Sequence, residues 1–164
     1  MRDKVEQRGD KGEIDNKGRL KITGRIKDIF KTSKGKYVAP APIEDKLLKN
    51  TSLELVCVTG PDLPQPIGLA TLSEGAAELL DSSIGREELQ TALEQLLLET
   101  NAELDKHENL SHLIVFPSPW TVESNIITPT LKIKRGEIDN TYLHQVEEWQ
   151  KSKQRVVFAK HNPS

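Results

Sequence analysis

Aromatic side chains are scarce in this sequence of 164 residues, which contains three Phe, two Tyr and two Trp. A hydrophobic core must therefore be built mainly from Leu, Ile and Val, which is feasible for a chain of this length. The scarcity also argues against a surface that binds single-stranded nucleic acid by stacking its bases on aromatic rings. The length suits one ordinary domain, or one domain with a tail.

Cysteine and long apolar runs are equally rare. Cys57 is the only cysteine and lies in the apolar run 55–58, so no disulfide framework can form and a reducing compartment is expected. We interpret Cys57 as a small buried hydrophobe rather than a reactive thiol. The sequence contains no stretch typical of a signal peptide and no run of transmembrane length, so the expected location is the cytoplasm.

Net charge of either sign is also small, because 23 Lys and Arg oppose 25 Asp and Glu. The whole chain therefore has no field that would attract nucleic acid. Residues 17–36 are an exception, since they are rich in Lys and Arg and contain Asp28 as their only acid. Such a stretch can attract a phosphate-bearing ligand, or it can be the solvated face of a hairpin, and charge alone does not decide between them.

Apolar periodicity predicts a mixture of helices and short strands. The clearest helix is predicted over 85–104, where Leu recurs at three- and four-residue intervals. Pro40 and Pro42 indicate the start of another helix that ends near Lys49. Further elements are a hairpin at 13–22, strands at 53–59, 67–72 and 111–116, and a final helix at 138–151. Strands and helices do not alternate strictly, which predicts an α+β fold rather than a doubly wound sheet.

Most arrangements that support catalysis are missing from the sequence. The four histidines show no metal-ligand spacing with Cys57, and no metal site is predicted. We expect His107 and His112, near a predicted helix end, to have surface or capping roles. The sequence has no glycine-rich phosphate loop of the Walker type. What remains is a set of lysines and arginines beside glycines and turns.

Several of these basic residues lie in two motifs. The first motif is the run GDKGEIDNKGRLKITGRIKDIFK at 9–31, which resembles the hinge motif of adenylate-forming enzymes. These enzymes include acyl-CoA synthetases, firefly luciferase and peptide-synthetase adenylation domains. The sequence continues with TSKGKYVAP at 32–40, which is similar to the same region in the long-chain fatty-acid branch of these enzymes. The second motif consists of WTVESN at 120–125 and ITPTLKIKR at 127–135, which look like the C-terminal lysine motif of the long-chain branch. The resemblance covers about 9–145 and implies the C-terminal lid domain of a long-chain acyl-CoA synthetase.

The resemblance implies roles for four residues near the nucleotide and the hinge. Lys132 matches the lysine that contacts the reacting carboxylate and the α-phosphate during adenylation. Asp10 matches the acid that accepts hydrogen bonds from the ribose hydroxyls. Arg25 matches the arginine beside the hinge that reaches the nucleotide, and Lys27 lies at the hinge itself.

A further loop is implied on the side that faces CoA. Lys34 and Gly35 belong to a loop that approaches the pantetheine tunnel during thioester formation. Lys34 stands where the long-chain branch usually has one of two paired glycines. Of the remaining motif residues, Lys134 and Arg135 are expected to be solvated and Trp120 to pack.

The implied chemistry has two steps. A fatty carboxylate attacks the α-phosphate of ATP, and a lysine stabilises the negative charge that gathers there. The lid then rotates about its hinge and presents the loop at Gly35 to CoA. The implied cosubstrates are ATP with Mg, a fatty acid and CoA, and the implied partner is an N-terminal adenylation domain that holds the phosphate loop and acyl pocket. The isolated chain is expected to be inactive and to bind no cofactor.

The resemblance also implies a division of the chain and a more specific fold. Residues 1–8 match no motif, 9–26 form a hinge-side hairpin that ends the core domain, 27–150 form the lid, and 151–164 form a polar tail. The lid is expected to contain a small, mostly antiparallel sheet with flanking helices.

Two alternatives stay open at this point. One is a free-standing, non-enzymatic module whose basic hairpin binds nucleic acid or an acidic partner, although nucleic acid is not the expected partner. The other is a synthetase that delivers its acyl group to a carrier protein instead of CoA. Acyl chain length, oligomeric state and any membrane association are not determined by the sequence.

Overall fold

Six strands and five α-helices lie within residues 28–159, the part of the chain that the computed structural model describes. The strands are β1 (Phe30–Lys31), β2 (Tyr37–Val38), β3 (Leu53–Thr59), β4 (Ile67–Leu72), β5 (Leu113–Phe116) and β6 (Val156–Phe158). The helices are α1 (Pro40–Leu47), α2 (Glu74–Glu78), α3 (Ser83–Ala102), α4 (Arg135–Tyr142) and α5 (Val146–Gln150).

The larger sheet has the strand order β3-β4-β5-β6 and is mixed. β3 and β4 are antiparallel, with Thr59 opposite Ile67, whereas β5 runs parallel to β4 and β6 runs parallel to β5. Every residue of β4 and β5 is buried, as expected for central strands that are covered on both faces. β1 and β2 pair separately as a short antiparallel ribbon.

The two faces of the sheet contribute to two different hydrophobic cores. Val56 and Val58 of β3 pack with the leucines of α1 and α3. Cys57 lies between them in sequence and therefore points to the opposite face, where it packs in the core formed with α4 and α5. Four aromatic side chains gather in that second core, with ring centroids 4.8 to 6.5 Å apart: Phe116, Trp120, Tyr142 and Trp149. Four of the seven aromatic residues thus lie on one side of the sheet, whereas Phe30 and Phe158 pack against the first core.

Local signals in the sequence account for the starts of two helices. The Ser82 hydroxyl accepts a hydrogen bond from the Gly85 N–H at 3.0 Å and caps α3. The buried leucines of α3 follow at intervals of four residues: Leu89, Leu93 and Leu97. Helix α1 begins at Pro40 without a side-chain cap, which suits proline because the first N–H of a helix has no partner within it.

The α+β class predicted from the sequence is confirmed, together with several elements. Strands β3 and β4 have the predicted bounds, and α3 lies within two residues of its predicted range. Trp120 and Cys57 are buried, at 3% and 0% exposure, as predicted. The hairpin predicted at 13–22 lies outside the described residues.

Three expectations need correction. The larger sheet is mixed rather than mostly antiparallel, because β5 and β6 each return to the sheet after helical segments and pair in parallel. The single helix predicted at 138–151 is instead α4 and α5, separated by the 3-10 helix Leu143–Gln145. Residues 156–158, which the sequence places in a polar tail, form β6, and Val156 is buried in the first core. No helix of the described residues is long and apolar enough to span a membrane.

Candidate functional site

Lys132 is carried by a tight hairpin turn at residues 128–132, here called the lysine loop. The Leu131 N–H donates to the Thr128 carbonyl at 2.7 Å, and the Thr128 N–H donates to the Lys132 carbonyl at 2.8 Å. The Lys132 N–H donates to the Thr128 hydroxyl at 3.0 Å. Ile127 and Ile133 form a β-bridge at the base of the loop. The backbone of Lys132 is therefore fixed by hydrogen bonds, although its side chain is exposed.

The Lys132 ammonium differs from the other two cations of its motif. The Lys134 ammonium donates to Asn125 Oδ1 at 2.6 Å, and the Arg135 guanidinium is paired with carboxylates. Within residues 28–159, no hydrogen bond or ion pair involves the Lys132 ammonium. Lys132 borders an open cavity of about 580 Å³ that is also lined by Asp28, Leu48, Leu55, Val56 and Ile133. An unpaired cation on a fixed backbone is thus available to an anion from outside the domain.

A second hairpin turn, residues 32–36, connects β1 to β2 and is here called the glycine loop. The Gly35 N–H donates to the Thr32 carbonyl at 2.9 Å, and the Thr32 N–H donates to the Lys36 carbonyl at 2.8 Å. The Lys36 N–H lies 3.3 Å from the Thr32 hydroxyl, which accepts its hydrogen bond. Lys34 and Gly35 lie at the exposed tip of this loop.

The two loops share one hydrogen-bond pattern. Each begins with a threonine, has a residue of positive φ three positions later and ends with a lysine whose N–H reaches the threonine hydroxyl. The residue of positive φ is Gly35 in the glycine loop, at 81°, and Leu131 in the lysine loop, at 67°. This is the geometry of a three-residue hairpin loop, in which the last loop residue takes the left-handed conformation.

Arg135 is not solvated, contrary to the prediction from the sequence. Two of its guanidinium nitrogens donate to the two carboxylate oxygens of Glu44, each at 2.7 Å. Its Nε lies 3.4 Å from Asp28 Oδ2, and it also approaches Cys57 Sγ at 3.7 Å. Glu44 Oε2 in turn accepts a hydrogen bond from the Val58 N–H at 2.8 Å. Arg135 therefore connects α1, β3 and the start of α4 with Asp28, the residue after the predicted hinge.

A small cavity of about 280 Å³ lies beside this network. Asp28 and Arg135 line it, as do Thr59 and Asp139, which are joined by a hydrogen bond of 2.6 Å from the Thr59 hydroxyl. Asp28 and Arg135 line the cavity at Lys132 as well. The contact between Asp28 and Arg135 is thus shared by the two cavities. The glycine loop is held separately by the connection between β3 and β4, where the Ser33 N–H donates to the Leu63 carbonyl at 2.9 Å.

Burial and charge alter the acidity of three groups in the network. Burial raises the pKa of the Cys57 thiol far above its ordinary value, so this thiol is neutral and unreactive. Burial by itself would lower the pKa of Arg135, but the hydrogen bonds and charge of Glu44 outweigh it and raise that pKa. Burial also raises the pKa of Asp139, against the opposing effects of the Thr59 hydrogen bond and the Arg135 charge.

The structure describes only some of the site residues that the sequence predicts. Lys132, Lys34 and Gly35 are exposed on their two loops. Asp10, Arg25 and Lys27 lie outside the described residues, so their roles stay predictions. Asp28, which follows Lys27 directly, borders the cavity that Lys132 also lines.

Sequence reasoning missed Arg135 and Glu44 as the centre of a network. Arg135 is the last residue of the lysine motif and the first of α4, and that position was the one signal available. Glu44 offered no signal, because an acid beside Asp45 and Lys46 in a short helix resembles a solvated residue. Only the fold brings these two side chains together.

One group of side chains within the described residues has the composition of a metal site: Asp105, His107 and Glu108. Glu108 Oε1 accepts a hydrogen bond from the Asp105 N–H at 3.0 Å, so this carboxylate caps a short 3-10 helix. The surface or capping roles predicted for His107 and His112 are a different matter: the capping contact belongs to Glu108, and a surface role for His112 is wrong because its side chain is buried. His112 is 8% exposed, and its ring lies 3.2 Å from both the Ser111 hydroxyl and the Ser152 carbonyl.

The fold recurs in solved structures of adenylate-forming enzymes. It matches the adenylation domain of a carboxylate reductase from Mycobacterium chelonae with a TM-score of 0.66 at 22% identity, over 78% of this chain and 20% of that one. It matches a fatty acyl CoA synthetase of Mycobacterium tuberculosis with a TM-score of 0.54 at 23% identity, over 84% of this chain and 24% of that one. The architecture is thus that of a domain found in adenylate-forming enzymes.

The particular family follows from the sequence comparison. Residues 27–154 match the AMP-binding enzyme C-terminal domain, and the chain belongs to this family. It is 28% identical over 151 residues to long-chain-fatty-acid–CoA ligase FadD15 of Mycobacterium tuberculosis, and 30% identical over 154 residues to long-chain-fatty-acid–CoA ligase 5 of Mus musculus. These matches cover 85% of this chain but only 25% and 22% of the relatives, so the chain spans about a quarter of their length.

Proposed function

We propose that this chain is the mobile C-terminal lid of a long-chain fatty-acid–CoA ligase, which forms an acyl-adenylate from a fatty acid and ATP and then transfers the acyl group to CoA. The observation that carries this proposal is the Lys132 ammonium, which is exposed and unpaired within residues 28–159 while its backbone is held by the lysine loop. The substrate class is supported by relatives that are long-chain-fatty-acid–CoA ligases.

In the first step, Lys132 contacts the attacking carboxylate and the α-phosphate of ATP. Negative charge is concentrated where these two groups meet, and a positioned ammonium lowers the free energy of that arrangement. Loss of one such group lowers a rate by about a hundredfold or more. The rigid turn matters because a cation that is already oriented needs little reorganisation when the reaction occurs.

An adenylation core domain supplies the remaining groups. This chain corresponds to about a quarter of its relatives, and we assign the acyl pocket, the phosphate loop and the binding of Mg with ATP to that core domain. Asp10 and Arg25 would contact the ribose and the nucleotide at the border between the two domains. The enzyme is expected to act in the cytoplasm.

In the second step, the lid rotates about Lys27 and the glycine loop approaches CoA. Asp28 follows Lys27 directly and is held 3.4 Å from Arg135, so rotation at Lys27 would move α1, β3 and α4 as one unit. Gly35 itself has no side chain, which allows its backbone to approach the pantetheine arm closely. The acceptor is CoA in this proposal, and a carrier-protein pantetheine would meet the same loop.

The experiment that tests this function separates the two steps in the complete enzyme. Lys132→Ala should reduce fatty-acid-dependent ATP–pyrophosphate exchange by about a hundredfold or more. Thioester formation from preformed acyl-adenylate and CoA should stay near the wild-type rate, because Lys132 acts in only one position of the lid. Lys134→Ala is the matched control, since Lys134 is two residues away and already paired with Asn125.

Two results would contradict the proposal. One is an equal loss of both half-reactions in Lys132→Ala. The other is fatty-acid-dependent exchange by the 164-residue chain alone, since the acyl and adenine pockets are assigned to another domain.

A further inference from the structure

Leu131 combines an unfavourable backbone conformation with an exposed apolar side chain. Its φ of 67° lies in the left-handed region, which is disfavoured for residues with a Cβ, and 63% of its surface is exposed. The other non-glycine residues of positive φ within residues 28–159 are Asp62 and Asn125. Short polar side chains of that kind tolerate this conformation, whereas leucine has no such local compensation.

The glycine loop shows what this turn requires from its backbone. It has the same set of hydrogen bonds as the lysine loop, with Gly35 at the position that corresponds to Leu131. A Cβ placed at Gly35 would have no atom within 4 Å, so glycine is favoured there by the φ of 81° and not by lack of space. Glycine would likewise satisfy the turn at 131. The leucine is therefore not explained by the turn that contains it.

Leu131 lies at an open cavity that is lined by both charged and apolar residues. Its side chain borders the cavity of about 580 Å³ at Lys132, and so do Leu48, Leu55 and Ile133. Leu48 is itself 40% exposed. Several apolar side chains thus lie beside Lys132, whose ammonium has no partner within residues 28–159.

We infer that Leu131 is a positioning residue for Lys132, and that its side chain packs against the adenylation core domain when Lys132 reaches the reacting carboxylate and α-phosphate. This inference rests on the function proposed above. Contact with the core domain buries the exposed leucine and offsets the unfavourable backbone. The packed side chain also holds the tip of the lysine loop in place and excludes water from the acyl-adenylate. Leu131 touches no reacting atom and acts through Lys132.

The test uses substitutions that relax the backbone while removing the apolar side chain. Leu131→Gly and Leu131→Asn both suit a positive φ. In the complete enzyme each should lower the kcat of fatty-acid-dependent ATP–pyrophosphate exchange about tenfold, since burial of a leucine side chain corresponds to roughly that factor. The KM for ATP should stay unchanged. The melting temperature of the 164-residue chain should stay the same or rise by about 2 °C.

Two further variants serve as controls. Leu131→Met keeps an apolar side chain of similar volume and should retain exchange within about twofold of wild type. Leu98→Asn removes a comparably exposed leucine, 61% exposed on α3, and should leave exchange unchanged. A residue with only a structural role would lose activity and thermal stability together.

The outcomes separate this inference from the proposed function. If Lys132→Ala abolishes exchange while Leu131→Gly retains the wild-type rate, the inference is overturned and the proposed function stands. A Leu131→Gly chain with a lower melting temperature as well as slower exchange also overturns it. If Lys132→Ala leaves exchange intact, the proposed function itself has failed.

Discussion

Arg135 and Glu44 are 91 positions apart in the sequence, and their side chains share two hydrogen bonds of 2.7 Å. The planar guanidinium matches the carboxylate in a bidentate pair, which is the strongest geometry available to two such groups. The Glu44 side chain is 10% exposed and that of Arg135 is 28% exposed. Each charge is thus partly removed from water and depends on the other for compensation.

Removal of either partner should destabilise the domain. Arg135→Met leaves the Glu44 carboxylate with only the Val58 N–H among the contacts described above, and we expect a loss of about 2–3 kcal/mol in the free energy of unfolding. Urea denaturation of the 164-residue chain, followed by the fluorescence of the buried Trp120 and Trp149, measures this loss.

The double variant Arg135→Met with Glu44→Gln should lose less than the two single variants combined, because the buried Glu44 carboxylate is no longer left without its cation. The exposed pair of Lys46 and Glu103, with a contact of 2.8 Å, is the control, and Lys46→Met should change the free energy of unfolding far less than Arg135→Met does. Additive losses at Arg135 and Glu44 would show that the bidentate pair does not couple them.

Asp139 should make stability depend on pH in a direction opposite to that of a paired carboxylate. Burial raises the pKa of this group, so the folded state binds its proton more tightly than the unfolded state does. The free energy of unfolding should therefore fall as pH rises from the ordinary carboxyl range through the raised pKa. Asp139→Asn removes this dependence and can still accept the hydrogen bond from Thr59.

Urea denaturation of both proteins at two pH values tests the sign. At pH 7 the Asn variant should be more stable than wild type. At about pH 3, below the ordinary aspartate pKa of about 3.9, the difference should vanish because Asp139 is protonated in both states. A variant that is less stable at pH 7 would mean that the ionised carboxylate is favourable where it lies.

Lys27→Pro should separate the two half-reactions if Lys27 is the hinge. Proline fixes φ near about −65° at the position proposed to absorb the rotation. We expect adenylation to survive if this φ suits the first position of the lid, and CoA transfer to fail. Pyrophosphate exchange and single-turnover thioester formation in the complete enzyme measure the two steps. Normal rates in both would place the rotation at another residue.

Lys34→Gly should leave adenylation unchanged and keep or raise the rate of thioester formation. Lys34 lies exposed at the tip of the glycine loop, next to Gly35, where its side chain adds bulk and a desolvation cost once the loop faces CoA. Lys34 is not part of the lysine loop, so the step proposed to depend on Lys132 should be unaffected. The measurement is single-turnover transfer from enzyme-bound adenylate over a range of CoA concentrations. Much weaker apparent affinity for CoA would show instead that the Lys34 charge holds a phosphate group.

Local sequence patterns were sufficient for the elements that depend on local interactions. The leucines of α3 repeat at helical intervals, and Pro40 suits the first turn of α1. The runs at 53–59 and 67–72 are apolar along their length and flanked by turn residues, so they indicate buried strands. The role expected for Lys132 rests on the resemblance of its motif to that of adenylate-forming enzymes, and it stays a prediction.

The tertiary structure alone decided which distant segments meet. The three residues of β6 form too short a pattern to be told from a tail, and they become a strand because β5 offers a parallel edge. Arg135 looks like a solvated cation in the sequence, yet the fold places Glu44, Asp28 and Cys57 around it.

The same distinction applies to the two loops that carry the proposed chemistry. The sequence by itself determined that glycine occurs in one and leucine in the other. Their equivalent hydrogen bonds, and the positive φ that makes Leu131 unusual, emerge only when the backbone is folded. The physical reason is one of range: propensity and periodicity act over a few residues, whereas burial and charge pairing depend on segments that only packing brings together.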